Sequence, residues 1–591
     1  MLNSFTWSSL YKETKPHRKR LVLGQFIALF AVLLSLPIPL LFPLLIDEVL
    51  LQQPGKVTAF INSFFVPNEP YVYILIILAT TLLLRLSFFV INVIQTRLFT
   101  KISKNLIFLI RTRVLTHLKS VSVAEYEALG GGGVSAKLVT DIDTIDSFIG
   151  VSIGRFIVSV FTMIGVASVL FYINWQLAIL ILIINPTVIT LTVLLGKRIK
   201  KLKKRENKQV ETFQNNLSET LDLFVQIRTH NQEERYIGRT IDNAKAIEKA
   251  SSAFGWKSEA ATQLSGLVFL SGFEMLRATA MIMVLLSNLS IGEMFAVMGY
   301  LWFMITPLQE MLGIIFSFAN ASSSLERLNT LLALKQEPKY PHTYNPFENT
   351  PNNKISLENV SFSYKDKQVL HNISLEIPKG KTVALLGPSG SGKTTLAHII
   401  LGLYAINQGA IKIDDINIED IGLDRLREHI ALVLQTPRMF NDTLRHNLTF
   451  GQDICDAKLY EALAIAQLQT VVEKLTDGLE TPIGKEGIRL SGGERQRLAI
   501  ARMLVSEPNV IILDESTSAL DIHTEIDLFK SLRTQLEDKT MLIIAHRLST
   551  IEHADYIYVL KEGHIIESGT PSELLGAGGH YSHFVSDQSR H

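Results

Sequence analysis

Two textures divide the chain. Up to about residue 320, apolar residues run together in stretches at roughly 21–46, 71–96, 149–173, 174–196, 262–289 and 292–320. Each is long enough to cross ~30 Å of hydrocarbon as a helix. The first and fourth hold no charged residue at all, which a buried soluble helix rarely sustains over such a length. Beyond residue 340, short β-branched runs alternate with charged helical stretches, the texture of a soluble α/β domain. The pattern predicts a multidomain membrane protein. A short cytoplasmic or interfacial segment (1–20) precedes an all-α, six-span domain (21–334), followed by a polar, proline-bearing linker (335–353) and an α/β domain (354–591).

Charge orients the spans. The connection between spans two and three carries Arg97, Lys101, Lys104, Arg111, Arg113 and Lys119, and that between four and five carries GKRIKKLKKRENK at 196–208. The loop between spans one and two holds only Lys56, and the other two turns hold no basic residue. Basic residues stay in the cytoplasm, so both termini and both long connections are expected there. These connections are too long and too rich in helix formers for plain loops. They read as membrane helices that continue into the cytoplasm and reverse near VSVAEYEALGGGG (121–133) and SETLDLFVQ (218–226). Gly130–Gly133 reads as a flexible break, because consecutive glycines cost backbone entropy in a helix. Pro37, Pro39, Pro43, Pro186 and Pro307 favour kinks in the spans.

Composition narrows the field only a little. Lysine and arginine total 57 against 56 acids, a net charge of +1, so nothing favours nucleic acid as a partner. The single cysteine, Cys455, excludes an intrachain disulfide. Basic residues before the first apolar run resemble a signal peptide, but a run of 26 residues with no small-residue cleavage site after it reads as a retained span.

The chemistry lies in the second half. TVALLGPSGSGKTTLAHIILG is strand, glycine loop and helix, with Gly387, Gly392, Lys393 and Thr394 in the G-x-x-x-x-G-K-[ST] spacing. The loop Gly387–Thr395, through Pro388, Ser389, Gly390 and Ser391, can close backbone N–H groups around phosphates, with Lys393 on the β/γ-phosphates and Thr394 on Mg²⁺. NVIILDE (509–515) reads as a buried parallel strand that delivers Asp514 to a Mg²⁺ shell and Glu515 to an attacking water. LSGGERQRLAIARML (490–504) offers a second anion-suited helix start at Ser491, Gly492 and Gly493. One nucleotide needs one phosphate loop, so the second start implies a partner copy's nucleotide and a dimer with ATP at its interface.

This combination resembles the ATP-binding cassette family, and nearly the whole chain looks like a half-size exporter of that family, with six spans fused to one cassette. The resemblance implies further roles. Tyr364 would stack on adenine and Gln435 would sense Mg²⁺. Ser491, Gly492 and Gly493 would bind ATP in trans, Asp521 would belong to the D-loop, and His546 would contact the γ-phosphate. It also implies ATP and Mg²⁺ as cofactors, a second copy of the chain as partner (a different half-transporter remaining open), the helix reversals as coupling helices, and ATP-driven export of a substrate that no motif identifies. A lipid flippase shares every motif and stands as the alternative, and a nucleotide-gated channel or regulator would usually show a regulatory insertion or a degenerate site. Two departures stand out: Glu494 where glutamine is commoner, and Pro482 where exporters usually carry glutamate.

One anomaly remains in the membrane half. SGFEMLRATAMIMVLL (271–286) sets Glu274 and Arg277 about mid-membrane in span five, and Arg85 lies at a similar depth in span two. Such charges face an interior or a water-filled cavity. Two arginines against one glutamate leave one net positive charge in that layer, which leans toward an anionic or amphipathic cargo for a network of Arg85, Glu274 and Arg277, with packing alone as the other reading.

Overall fold

The structure, a computed structural model, describes residues 4–588 apart from 54, 65–69, 130, 288, 349, 485, 486, 489, 518, 546 and 552. It divides into two compact units, residues 1–119 with 132–333, and residues 120–131 with 334–591.

The first unit is helical throughout. Its main helices are α1 (Trp7–Glu13), α2 (Arg18–Ser35), α3 (Pro37–Pro43) and α4 (Pro70–Leu118). After α5 (Val123–Leu129), which belongs to the second unit, come α6 (Ile153–Ile173), α7 (Trp175–Asp222), α8 (Glu233–Leu286) and α9 (Ile291–Leu332). Five helical stretches among the described residues are long and apolar enough to cross a membrane. The expected fourth span falls on the first half of α7, where many side chains lie outside the described residues. At 42 to 54 residues, α4, α7, α8 and α9 far exceed a bilayer's thickness. The reversal between α7 and α8 is made by the short helix Phe224–Thr229.

Prolines reshape the first span. Pro37 starts a new helix where α2 ends, and after Pro43 the chain widens until the Leu51 N–H reaches the Ile46 carbonyl five residues back, at 2.9 Å. The widened turns aim Asp47 at the start of α9. Its carboxylate accepts from the Gly292 N–H at 2.9 Å and the Ser290 hydroxyl at 2.5 Å, above a capping box of Ser290 and Glu293. Asp47→Ala should therefore cost about 1 kcal/mol, read as a lower thermal midpoint of the detergent-solubilised protein. At the other end, Asn329 on α9 holds both backbone groups of Phe5, at 2.7 and 2.9 Å, and Arg327 clamps the buried Asp141.

Two sequence expectations need revision. Gly131–Gly133 is the first turn of a helix, Gly131–Ala136, rather than a break; Gly130 lies outside the described residues. The segment 335–353, expected as a linker, packs against the rest of the second unit. Glu337 pairs with Arg427 at 2.9 and 3.0 Å, Phe347 is buried against the His429 ring, and buried Asn353 donates to Asp414 at 2.9 Å.

The second unit carries two larger sheets. Strands β1 (Ile355–Tyr364), β2 (Lys367–Ile377), β4 (Gln408–Ile413) and β5 (Ile416–Asn417) form an antiparallel sheet in the order β2-β1-β4-β5, while β3 (Thr382–Leu386) lies in the other. That second sheet adds β6 (Ile430–Val433), then β9 (Val510–Asp514), β10 (Thr540–Ile544), β11 (Tyr556–Lys561) and β12 (His564–Gly569), past a small pair β7 (Asp442–Thr443) and β8 (Pro482–Ile483). Its order is β12-β11-β3-β10-β9-β6, parallel except for β12. Every residue of β9 and β10 is buried, as central parallel strands require. Helices α10 (Lys393–Ile400), α11 (Gly492–Val505) and α12 (Ile522–Gln535) pack around it.

Candidate functional site

Register builds the site. Ile544 pairs with both Leu385 and Asp514, so β3, β9 and β10 end side by side and release their loops at one edge. Gly387, Gly390 and Gly392 then take positive φ of 151°, 80° and 106°. A side chain at Gly387 would strike the Leu560 carbonyl at 2.0 Å, and one at Gly392 the Leu370 side chain at 2.7 Å. These positions admit only glycine, and the loop curls tightly before α10. Lys393 folds back over it and donates to the Gly387 and Pro388 carbonyls at 2.9 and 3.0 Å. Pro388, Ser389 and Gly390 are exposed, whereas Ser391 and Thr395 are buried. The Ser391 hydroxyl is buried without a hydrogen-bond partner among the described residues.

Asp514 is fully buried, and one of its oxygens likewise lacks a partner. Burial pushes its carboxyl above the ordinary carboxylate range and the Glu515 charge adds to this, against a hydrogen bond from Thr394 and the Lys393 charge. Burial also lowers the Lys393 ammonium, opposed by Glu515 and Asp514. Glu515 has φ 45° and its N–H is fixed to the Ile544 carbonyl at 2.9 Å. Its carboxylate accepts from the Gln435 amide at 2.5 Å. A buried acid with a free oxygen beside a threonine hydroxyl fits a hard divalent cation, which takes oxygen ligands.

Tyr364 ends β1 edge-on to Phe362 and Tyr404, at 4.8 and 5.2 Å between ring centres. It lines a cavity of about 450 Å³ shared with Tyr340, Ile399 and Glu127. The Tyr404 hydroxyl donates to the Glu127 carboxylate of α5 at 2.6 Å. Sequence reading missed this contact, because Tyr404 follows α10 as an ordinary apolar position.

The signature segment forms a separate corner. Ser491 caps α11 in a capping box with Glu494, whose carboxylate accepts from the Ser491 N–H at 2.7 Å. Glutamate in place of glutamine thus keeps the cap. Ser491, Gly492, Gly493, Arg497, Asp521 and Thr524 line a recess of about 410 Å³. Asp521 caps α12 through the Thr524 N–H at 3.0 Å and its hydroxyl at 2.6 Å, which hold its carboxyl below the usual range. Pro482 sits in the β7–β8 pair, and the chain turns back at the Ile488 N–H to Pro482 carbonyl bond of 3.0 Å. His546 lies outside the described residues. Its neighbour Arg547 pairs with buried Glu525 and donates to the Leu520 carbonyl at 3.1 Å. No sequence motif flagged Glu525, whose partner lies 22 residues further on.

The phosphate loop and carboxylates meet at one edge of the sheet, while the Ser491–Gly493 corner opens into its own recess.

Comparison with known proteins decides the family. The pattern for the ABC transporter transmembrane region matches residues 21–308, and that for the ABC transporter matches 370–518. An ATP-dependent lipid A-core flippase of Desulfotalea psychrophila is 31% identical over 79% of this chain and 81% of its own length. One of Haemophilus ducreyi is 33% identical over 80% and 81%. The chain belongs to the ABC transporter family. In fold, this ABC transporter matches a bacterial Atm1-family ABC exporter solved with ATP bound, with TM-score 0.79 and 24% identity over 97% of this chain and 98% of the other. An uncharacterized ABC transporter ATP-binding protein of Bacillus subtilis is 33% identical over 79% and 81%. This ABC transporter is thus an ATP-hydrolysing membrane transporter that crosses the membrane several times.

In the membrane unit, Glu274 and Arg277 form an ion pair on α8, half-exposed. Arg85 is exposed on α4 and has no ion-pair partner among the described residues. A further pair that sequence reading missed, Arg155 on α6 with Glu310 on α9, stands 3.3 Å apart.

Proposed function

We propose that two copies of this chain close around two ATP molecules and move an amphipathic lipid with an anionic headgroup from the inner to the outer leaflet. The naming of its relatives as lipid A-core flippases carries this reading. The mid-membrane layer of Arg85, Glu274 and Arg277, with its net positive charge, supports it.

In this reading the glycine loop cradles the phosphates with Lys393, and Tyr364 stacks on adenine. Ser491, Gly492 and Gly493 of one copy, with Asp521, face the nucleotide held by the other. Asp514, Thr394 and Gln435 would hold Mg²⁺, which when bound neutralises phosphate charge. Glu515 polarises the attacking water and His546 contacts the γ-phosphate. Cassette closure reaches the membrane half through 121–130 and 218–226, and the Tyr404–Glu127 bond ties the first of these to the adenine side of the cassette. Both termini lie in the cytoplasm.

Proteoliposomes test the cargo. ATP-dependent loss of quenchable label from the inner-leaflet-equivalent face is expected for a labelled anionic glycolipid and not for labelled peptides or uncharged amphiphiles. Flipping of neutral lipid alone would sink the anionic reading. Arg85→Gln with Arg277→Gln should bring the ratio of lipid-stimulated to basal ATPase down to near one. An unchanged ratio with normal folded yield would exclude the charged layer from cargo contact.

A further inference from the structure

Glu515 is not held by Gln435 alone, because a second amide stands behind that contact. Gln496, on the second turn of α11, is 3% exposed. Its Nε2 donates to the Gln435 backbone carbonyl at 3.0 Å, and its Oε1 accepts from the Ala519 N–H at 2.9 Å. These two backbone partners have opposite polarity, so the orientation of the amide is forced. A carboxylate would face the Gln435 carbonyl with a second acceptor, and an apolar side chain would remove the partner of both backbone groups.

The two tethered loops flank the hydrolytic centre. Gln435 sends its own side chain to Glu515 at 2.5 Å, and Ala519 lies two residues before Asp521 on the loop that leaves Glu515. Gln496 itself rides on the helix whose start, Ser491–Gly493, opens into the separate recess. On the reading that this recess serves the partner's nucleotide, one side chain joins the helix that reads one ATP to the carboxylate that acts on the other.

We propose that Gln496 is a positioning residue that couples the two ATP sites, transmitting engagement of the signature helix to the alignment of Glu515. The inference rests on the assignment of Glu515 under the proposed function. It predicts a defect in turnover rather than in ATP binding, because Gln496 is not among the residues placed around the nucleotide. Loss of alignment at this range should lower kcat about 10- to 100-fold.

Steady-state ATPase of the full-length dimer in nanodiscs tests it, with Gln496→Met, Gln496→Glu and Glu515→Gln measured in parallel from pH 6 to 8.5. Gln496→Met is expected to lower kcat by about that factor at every pH with KM for ATP within twofold of the parent. Gln496→Glu should match it at pH 8.5 and recover kcat relative to the parent as pH falls, because a protonated carboxyl regains the donor to Gln435. Parental kcat in both variants overturns the proposal, as does an equal, pH-independent loss in both accompanied by a rise in KM, which marks a merely structural side chain. Normal turnover in Glu515→Gln would instead overturn the assignment of Glu515, whatever the Gln496 variants do.

Discussion

Glu515→Gln should leave ATP binding intact and lower steady-state hydrolysis by about 10²–10⁴-fold, the range for removing a positioned base. The replacement is nearly isosteric. Its amide oxygen can still accept from the Gln435 side chain, and the backbone φ of 45° and the N–H bond to Ile544 are untouched. The site therefore keeps its shape and loses only the carboxylate proposed to polarise water, so on that proposal the variant should accumulate as a closed, ATP-loaded dimer. Nucleotide retention after gel filtration together with phosphate release gives the two readouts. Parental turnover would overturn the role given to Glu515, while loss of ATP retention would show that the carboxylate is needed to build the site.

That prediction could be framed from sequence because the motifs around Glu515 are local. A glycine loop between a buried strand and a helix needs particular φ values at Gly387, Gly390 and Gly392, and only one residue type supplies them cheaply. An apolar run that ends in two acids can only be a covered strand reaching a sheet edge. Five of the expected apolar stretches were legible for a similar reason, since hydrocarbon demands long apolar runs. Contacts made by residues far apart were not legible. Gln496 meets the carbonyl of a residue 61 positions away, and Tyr404 meets Glu127 across 277. Neither residue departs from its local pattern. The segment 335–353 misled through composition, because its prolines and polar residues suit a linker as well as a strap. Only the buried Phe347 and Asn353 distinguish the two. In the glycine run, composition gave the cost of ordering the chain but not its place at a helix start.

Arg547→Ala should destabilise the cassette by about 3 kcal/mol, near the lower end of what breaking a buried ion pair costs. The reason is asymmetry. Glu525 has 1% of its side chain exposed whereas Arg547 has 37%, so removing the arginine leaves a carboxylate with almost no access to water. The Thr517 hydroxyl still donates to it at 2.8 Å, which offsets part of the loss. The same guanidinium holds the Leu520 carbonyl at 3.1 Å, one residue before Asp521, so the loop of Asp521 should loosen and ATPase should fall with stability. Adding Glu525→Gln to Arg547→Ala removes the buried charge while keeping an acceptor for Thr517. The double variant should therefore recover more than half of the lost thermal stability, yet little of the ATPase, because the Leu520 tether is still missing. Recovery of both would assign the whole effect to the buried charge. Recovery of neither would mean that the arginine acts through its contact with Leu520 alone.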